Sequence, residues 1–241
     1  KSWSEYAGSS GPTSGGFAPF LKVTAERVIK IPERIDVRDA ALIEPAAVAF
    51  HAVRRGNIRI GDVVCIVGAG AIGLLTAQCA RAAGAGLVIA IDPDESRREL
   101  GLTLGLDRAV APGEELSQIL SEVNGGLKAD LAFDCAGIPQ TMQQSVDMVR
   151  RGGGVCLVGV TSQNATISPI RWISKEITLY TSMVFTLEEM KATAGMSLDR
   201  RILVARLRNE IINLDELGET IDGLANRRIQ AVKILVDPSA G

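Results

Sequence analysis

Three glycines with the spacing Gly-x-Gly-x-x-Gly follow an apolar run and open an apolar helical stretch: Gly68, Gly70 and Gly73. In that context the first glycine permits a tight turn, the second lets the backbone approach a pyrophosphate, and the third lets the helix pack closely on the strand. Ala71 and Ile72 would then begin a helix whose N-terminus attracts phosphate. The spacing predicts a diphosphate-binding turn.

An acid follows at the position that such a turn requires. Asp92 ends the next apolar run, 19 residues after Gly73, where an acid would accept hydrogen bonds from the adenosine ribose. Its charge would repel a 2′-phosphate, which favours NAD over NADP. Two alternatives stay open: Asp92 caps a helix that begins near Glu95, or Arg97 and Arg98 receive the extra phosphate of NADP.

After residue 61, short apolar runs alternate with amphipathic stretches, which is typical of βαβ units. Strands are predicted at residues 63–67, 87–91, 108–110, 130–134, 154–159 and 177–181. The helices between them are predicted at residues 71–83, 95–104, 114–123, 139–149 and 169–174. Six such strands indicate an α/β fold with a doubly wound, parallel, six-stranded Rossmann sheet.

The two ends of the chain are less regular. Residues 1–20 are rich in Gly, Ser and Pro and predict a connector, and residues 20–31 could form a strand outside the main sheet. Apolar spacing predicts a helix at residues 39–54, capped by Asp39, in which Pro45 sits in the first turn or breaks the helix. The remaining predictions are helices at residues 187–193, 199–208 and 214–226 and a strand at residues 231–236.

Composition excludes several classes of function. With 22% charged and 46% hydrophobic residues and a net charge of −2, the chain lacks the signatures of disorder and of nucleic-acid binding. Residues 63–80 carry no charge, yet their glycines predict a strand, a turn and a helix rather than a membrane span. The chain has four cysteines, Cys65, Cys79, Cys135 and Cys156, with no spacing typical of a zinc cluster. They are interpreted as reduced core residues of a cytoplasmic protein.

Two other enzyme classes are alternative interpretations of the glycine turn. A methyltransferase also binds an adenosyl cofactor there, but its ligand has no pyrophosphate, and the third glycine with six strands favours a dinucleotide. A short-chain dehydrogenase would need a tyrosine followed four residues later by lysine, and neither Tyr6 nor Tyr180 is.

Further motifs carry a family resemblance. They are Leu-Ile-Glu-Pro-Ala-Ala-Val-Ala-Phe-His-Ala at 42–52, Gly-Asp at 61–62, Asp-Cys-Ala-Gly at 134–137, Gly-Gly-Gly at 152–154 and Lys-Ile-Leu-Val at 233–236. With these motifs the chain resembles the medium-chain dehydrogenase/reductase family, and within it the zinc-dependent polyol dehydrogenases of the sorbitol and butanediol type. The resemblance implies remnant strands of a GroES-like catalytic domain at both ends, at residues 17–31 and 231–236.

The resemblance also implies roles for individual residues. Glu44 would lie near the catalytic zinc, although a helix-terminal carboxylate is an equal alternative. His51 could lie near the cofactor or act in a proton path, but a lone histidine on an apolar helix face is more often a core residue, and it is interpreted so and not as a catalyst. The residues implied at the cofactor are Arg97 beside Asp92 at the ribose, Cys135 and Ala136 near adenine, Val158, Gly159, Val160 and residues 183–185 near nicotinamide, and Lys233 at the pyrophosphate.

The resulting hypothesis divides the chain into residues 1–57, a catalytic-domain remnant with a connecting helix, residues 58–201, the NAD-binding domain, and residues 202–241, which return to the catalytic domain. The complete enzyme would transfer hydride between a secondary alcohol or polyol and NAD, with zinc, as a homodimer or homotetramer that pairs through the edge strand at residues 177–181. The chain alone would be inactive. The alternative is a non-catalytic dinucleotide-binding module.

Overall fold

A computed structural model describes residues 15–239 of the chain. The main sheet contains β1 (Val63–Val67), β2 (Leu87–Ile91), β3 (Arg108–Val110), β4 (Ala129–Asp134), β5 (Val149–Leu157) and β6 (Thr178–Thr181). The first three strands have the predicted bounds, and the predicted doubly wound sheet is confirmed. The strand predicted at residues 154–159 begins earlier, at Val149. Val149 pairs with Ala129 of β4 before a β-bulge, and Gly154 pairs with Leu131 after it.

The strands lie in the order β3-β2-β1-β4-β5-β6, and every neighbouring pair is parallel. The chain runs outward from β1 to β3 and then returns to place β4 on the other side of β1. This reversal leaves a crevice at the carboxyl ends of β1 and β4, where open α/β sheets bind their ligands. The sheet therefore places the predicted glycine turn at its switch point.

Helices cover both faces of the sheet. They are α1 (Val37–Ala40), α2 (Ile43–Gly56), α3 (Ala71–Ala82), α4 (Glu95–Thr103), α5 (Glu114–Glu122), α6 (Pro139–Met148), α7 (Pro169–Lys175), α8 (Leu187–Leu198) and α9 (Leu217–Ala225). Val64 and Ile66 pack on the face covered by α2 and α3, whereas Val63 and Cys65 pack on the face covered by α5 and α6. All five residues of β1 are buried, as expected for a central parallel strand.

The predicted helix at residues 39–54 forms as two helices. Asp36, and not Asp39, caps α1, since its carboxylate accepts a hydrogen bond from the Arg38 amide at 2.8 Å. Pro45 occupies the first turn of α2, where its missing N–H removes no helical hydrogen bond. The capping role predicted for Asp39 was wrong because Asp39 lies inside α1, and the N-cap of α2 is Leu42.

The C-terminal region differs most from the prediction. Residues 199–208 form no α-helix: α8 ends at Leu198, Arg200 adopts a positive φ of 58°, and a 3-10 turn follows at Val204–Leu207. Strand β7 (Arg208–Asn213) was not predicted, and it pairs in parallel with β8 (Lys233–Asp237). The two strands and α9 between them form a small unit beside the main sheet.

The N-terminal region also requires a correction. Residues 17–31 contain no strand, and their one regular element is a 3-10 turn at Ala25–Arg27. Most of these residues are exposed, and they form hydrogen-bonded pairs with no strand of the described chain. A lone extended segment without a partner strand does not make a sheet. The first 14 residues of the predicted connector lie outside the described range. Within residues 15–239 no helix is long and apolar enough to cross a bilayer.

Candidate functional site

The glycine turn connects β1 to α3 with little room for side chains. Gly68 has a φ of 93°, a conformation that favours glycine, and its amide donates to the Ile91 carbonyl at 2.8 Å. A Cβ on Gly73 would overlap the Gly68 carbonyl oxygen and lie 2.9 Å from its carbon. The first and third glycines are therefore required by contacts within the protein.

Gly70 differs from both, since a Cβ added there would meet no atom within 4 Å. It is the N-cap of the 12-residue α3 and supplies no side-chain hydrogen bond to that helix. The amides of the first turn, which begins with Ala71 and Ile72, carry the partial positive charge of the helix N-terminus. The turn combines open volume with hydrogen-bond donors, which suits a phosphate.

Asp92 closes one side of this turn. It is only 4% exposed, and its carboxylate accepts hydrogen bonds from the amides of Ala69 at 2.7 Å and Asp94 at 2.9 Å. The carboxylate thus fastens the end of β2 to the glycine turn. Each carboxylate oxygen keeps a lone pair for a further donor, such as a ribose hydroxyl.

The helix after Asp92 has its own cap. Asp94 caps α4 by accepting from the Arg97 amide at 3.2 Å, so the alternative that Asp92 is the cap was wrong. The Arg97 guanidinium lies 3.9 Å from the Asp92 carboxylate, as a loose ion pair. Arg98 instead donates to the carbonyl oxygens of Asp92 and Pro93, each at 2.8 Å. Of the two arginines, only Arg97 faces the acid.

Asp134 organises the loop after β4, and the sequence analysis assigned it no role. Its carboxylate accepts from the amides of Ala136 at 3.1 Å and Gly137 at 3.3 Å and from the Thr141 hydroxyl at 2.8 Å. Burial raises the pKa of Asp134 above its usual value, and these hydrogen bonds oppose the rise. The signal that could have found it is an acid at the carboxyl end of a buried strand, as at Asp92.

The loops after β4 and β5 contact each other. A Cβ on Gly137 would lie 2.9 Å from the Val160 amide nitrogen, and a Cβ on Gly159 would lie 2.6 Å from the Gly137 Cα. Val158 is buried, whereas Val160 is 72% exposed at the carboxyl edge of the sheet. These loops place the predicted residues Cys135, Ala136, Val158, Gly159 and Val160 beside the crevice.

The cysteines are small core residues, as predicted. Cys65, Cys79 and Cys156 are buried, and burial raises the pKa of each thiol to about 12. Cys135 is partly exposed, and its sulfur lies 3.8 Å from the Thr76 hydroxyl oxygen. Burial raises the pKa of this thiol to about 12 as well. None of the four is a reactive thiolate at neutral pH.

The segment after β6 reaches the same edge of the sheet. Ser182 is 9% exposed, and its hydroxyl has no hydrogen-bond partner among the described residues. Val184 has a φ of 62°, which is rare for a β-branched residue and costs about 1–3 kcal/mol. Strain of this kind is concentrated at functional sites, and the nicotinamide-side role of residues 183–185 stays a prediction.

The charge of Lys233 acts on Glu44, although the two residues are far apart in sequence. Glu44 is in the first turn of α2, and Lys233 is the first residue of β8. Burial raises the pKa of the partly solvated Glu44 carboxyl, and the Lys233 charge opposes that rise. Within residues 15–239 no group of three or more His, Cys, Asp or Glu side chains could hold a metal ion. Glu44 alone does not make a zinc site.

His51 takes part in a network of polar side chains between two helices. Its Nδ1 lies 2.9 Å from the Glu189 carboxylate, which also accepts from Arg54 at 3.2 Å. Glu189 completes a capping box with Thr186 at the start of α8. Burial alone would raise the pKa of Glu189, but the hydrogen bonds from Thr186 and His51 hold this pKa below its usual value. The network ties α2 to α8.

Comparison with known proteins gives a family match. The family model described as zinc-binding dehydrogenase matches residues 71–198. L-idonate 5-dehydrogenase from Vitis vinifera is 34% identical over 165 residues, which cover 66% of this chain and 44% of that protein. (R,R)-butanediol dehydrogenase from Bacillus subtilis is 29% identical over 228 residues, which cover 93% of this chain and 65% of that protein.

Solved structures give the same result. A zinc-binding dehydrogenase from Sinorhizobium meliloti, bound to NADP, superposes with a TM-score of 0.83 at 30% identity and covers 93% of this chain. The 2R,3R-butanediol dehydrogenase of Bacillus subtilis superposes with a TM-score of 0.84 at 29% identity. The chain spans 66% and 65% of these two proteins, respectively.

Proposed function

Because the chain belongs to the zinc-binding dehydrogenase family, we propose that it is the NAD-binding part of an alcohol or polyol dehydrogenase that transfers hydride between a secondary alcohol and NAD. The single observation that carries this proposal is the open volume over Gly70, between the N-terminus of α3 and the Asp92 carboxylate. Asp92 accepts from the Ala69 amide at 2.7 Å, which holds this carboxylate beside the turn. The turn and the acid therefore form one site for a diphosphate and the sugar attached to it.

When bound, NAD accepts a hydride at its nicotinamide ring from the substrate carbon. The described residues bind and orient this cofactor. The amides of α3 would hold the pyrophosphate, Asp92 with Arg97 would hold the ribose, and Lys233 would approach the pyrophosphate from β8. The exposed Val160, at the end of the loop after β5, would border the nicotinamide side.

The zinc part of the proposal rests on the family and on Glu44. The described residues do not form a zinc site, so we derive no step through the metal. If the complete enzyme uses zinc, Glu44 is the contribution that this chain would make. Activity on a panel of polyols with NAD, followed by NADH absorbance with and without a chelator, tests this part, and activity indifferent to zinc removal would overturn it.

The NAD-binding site has a more direct test. Gly70→Ala places a methyl group into open space, so it should change the free energy of unfolding by less than about 1 kcal/mol. The same methyl group would stand where the pyrophosphate approaches, so affinity for NAD should fall by about tenfold, the effect of losing roughly 1.4 kcal/mol. Isothermal calorimetry with NAD measures the affinity directly.

The matched control is Gly195→Ala in α8, where an added Cβ also meets nothing within 4 Å. This variant should bind NAD as the wild type does. Absence of any heat with millimolar NAD would overturn the proposal for the unmodified chain. Equal affinity of the Gly70→Ala variant and the wild type would remove the glycine turn from the binding site.

We also propose that the complete enzyme is a homodimer or homotetramer that acts in the cytoplasm. Strand β6 supports the first part, because it is an edge strand of the main sheet and its Leu179 is 44% exposed. Pairing of two β6 strands would continue the sheet across a twofold axis. A single species at monomer mass in sedimentation would contradict the assembly, and cell fractionation tests the location.

A further inference from the structure

The loop at residues 182–185, between β6 and α8, is held at both of its ends by side chains. At its start, Arg55 Nε donates to the Thr181 carbonyl at 3.1 Å. At its end, the Thr186 amide donates to the Glu189 carboxylate at 2.8 Å. The position of the loop therefore depends on the side chains that make these two contacts.

The Glu189 side chain is itself held by α2. It is buried, and its two carboxylate oxygens lie 2.9 Å and 3.0 Å from Nδ1 of His51. Arg54 donates to the same carboxylate at 3.2 Å. Despite the burial, the hydrogen bonds from Thr186 and His51 hold the pKa of Glu189 below its usual value, so the carboxylate is ionised at neutral pH. An ionised carboxylate only accepts hydrogen bonds, and Nδ1 of His51 must therefore carry the proton.

Of the two donors from α2, His51 is the more important one for Glu189. The side chain of Arg54 is 64% exposed, whereas that of His51 is 22% exposed. An exposed ion pair is screened by water and contributes little, but a buried carboxylate that loses a donor is left with the full cost of its lost solvation. Loss of the His51 side chain should therefore displace Glu189 more than loss of Arg54.

The loop needs such restraints because its backbone is strained. Val184 adopts a φ of 62°, a conformation that is rare for a β-branched residue. A conformation of this kind persists only where the surrounding structure enforces it. Here α2 supplies both restraints, since Arg55 contacts the chain before the loop and His51 acts through Glu189 on the chain after it. One helix thus fixes both ends of the loop.

We infer that His51 is a positioning residue for the nicotinamide ring, because through Glu189 it sets the conformation of the loop at residues 182–185. The inference rests on the proposed function, in which NAD lies across the crevice with one nucleotide over each half of the sheet. Asp92, at the end of β2, binds the adenosine on the half with β1, β2 and β3. The nicotinamide then lies over the half with β4, β5 and β6, and the loop follows β6 at the carboxyl edge of that half.

Isothermal calorimetry with two ligands tests the inference. NAD carries the nicotinamide ring, and ADP-ribose is the same molecule without that ring. His51→Leu removes the donor to Glu189 and should weaken NAD binding about fivefold, since the lost hydrogen bond affects the cofactor only through the loop. Because the adenosine half of the site is unchanged, the affinity for ADP-ribose should change by less than about twofold.

His51→Asn is the conservative variant. The asparagine amide nitrogen is as many bonds from Cα as Nδ1 of histidine, so it can donate to the same carboxylate. This variant should bind NAD within about twofold of the wild-type affinity. Such a rescue would separate the role of a donor to Glu189 from the roles of packing and of proton transfer.

A second variant releases the other end of the loop. Arg55 is exposed, so Arg55→Met should fold even if His51→Leu does not. It removes the donor to the Thr181 carbonyl and should weaken NAD binding about threefold. The affinity for ADP-ribose should again stay within about twofold of the wild-type value.

Gln78→Leu is the matched control, because it breaks a buried side-chain contact between two other elements. Gln78 lies in α3 and accepts from the Leu203 amide at 2.7 Å, which ties α3 to the chain before the 3-10 turn at Val204–Leu207. This variant should lower the unfolding midpoint, because the Leu203 amide loses its acceptor. The ratio of the affinities for NAD and ADP-ribose should not change.

The outcomes separate the inference from the proposed function. Selective loss of NAD binding in His51→Leu and Arg55→Met, with rescue in His51→Asn, supports the inference. Equal weakening of NAD and ADP-ribose, no weakening of either, or a His51→Asn variant that binds NAD as weakly as His51→Leu overturns the inference alone. Failure of both ligands to bind the wild type overturns the proposed function, and the inference with it.

Discussion

The glycine turn after β1 and the facing loops after β4 and β5 both depend on glycine. They differ in what occupies the space that a side chain would fill: it is open in the turn, and in the loops it is taken by backbone. A Cβ on Gly70 would meet nothing within 4 Å. Cβ atoms on Gly137 and Gly159 would each meet the backbone of the other loop. The free volume at Gly70 lies at the N-terminus of α3 and leaves space for a ligand, whereas the backbone contacts at Gly137 and Gly159 are a requirement of the fold.

Within the glycine turn itself, Gly73 differs from Gly70 and belongs with the packed glycines. A Cβ there would overlap the Gly68 carbonyl oxygen, and neither α3 nor the turn can move without separating from β1. Gly73→Ala should therefore have the largest effect, lowering the free energy of unfolding by about 3 kcal/mol. Urea denaturation followed by circular dichroism measures the loss.

Gly195→Ala again serves as the control for this prediction. It lies inside α8 with open space around it, so alanine should raise stability by roughly 0.5 to 1 kcal/mol through its higher helix propensity. If Gly73→Ala were as stable as this control, the close packing of α3 on β1 would not be what requires the third glycine.

The packed loops should show the second-largest effect. Gly159→Ala would place a Cβ 2.6 Å from the Gly137 Cα and separate the loops after β4 and β5. Because exposed loops can yield more than a buried helix contact, we expect a loss of about 2 kcal/mol in the same denaturation experiment. An unchanged unfolding midpoint would show that the two loops are not held together by this contact.

Much of this architecture could be predicted from local sequence. The bounds of β1 and β2 follow from apolar runs that end at glycine or a charged residue, and the site at Gly68 to Gly73 follows from spacing alone. The acid at position 92 was found for the same reason. Where a segment contains the residues that mark its own ends, the sequence is sufficient to predict its bounds.

The C-terminal unit lacks such residues at the ends of its elements. Arg200 follows α8 at positive φ without being a glycine, so nothing in the sequence marked a turn there, and a separate helix was predicted at residues 199–208. Strand β7 begins with polar and charged residues, and its partner β8 lies beyond α9 in the chain. Its existence depends on tertiary contacts that no local pattern records.

The same limit applied to parts of the site. His51 and Glu189 are separated by more than half of the chain, so their contact could not be inferred from spacing. Asp134 begins the motif Asp-Cys-Ala-Gly, but its role arises because the loop folds back onto its carboxylate. Residues that act through assembled loops were missed, and those that act within one turn were found.

The smallest expected effect concerns the acid that holds the packed loops. In Asp134→Asn, the side-chain carbonyl can still accept from the amides of Ala136 and Gly137. The new amino group can donate to the Thr141 hydroxyl oxygen, while that hydroxyl donates to the Ile138 carbonyl at 2.7 Å. The variant should therefore fold normally and lose only the titration of the carboxyl group.

Burial raises the pKa of Asp134 above its ordinary value of 3.8, so the folded protein binds this proton more tightly than the unfolded chain does. The free energy of unfolding of the wild type, relative to the variant, should then fall as pH rises from 3.8 through the raised pKa, and level off above it. One proton limits the slope to about 1.4 kcal/mol per pH unit. Urea denaturation of both proteins at several pH values measures the difference, and a difference that rises with pH would show that the ionised carboxylate, held by its loop amides, is the form that the folded state prefers.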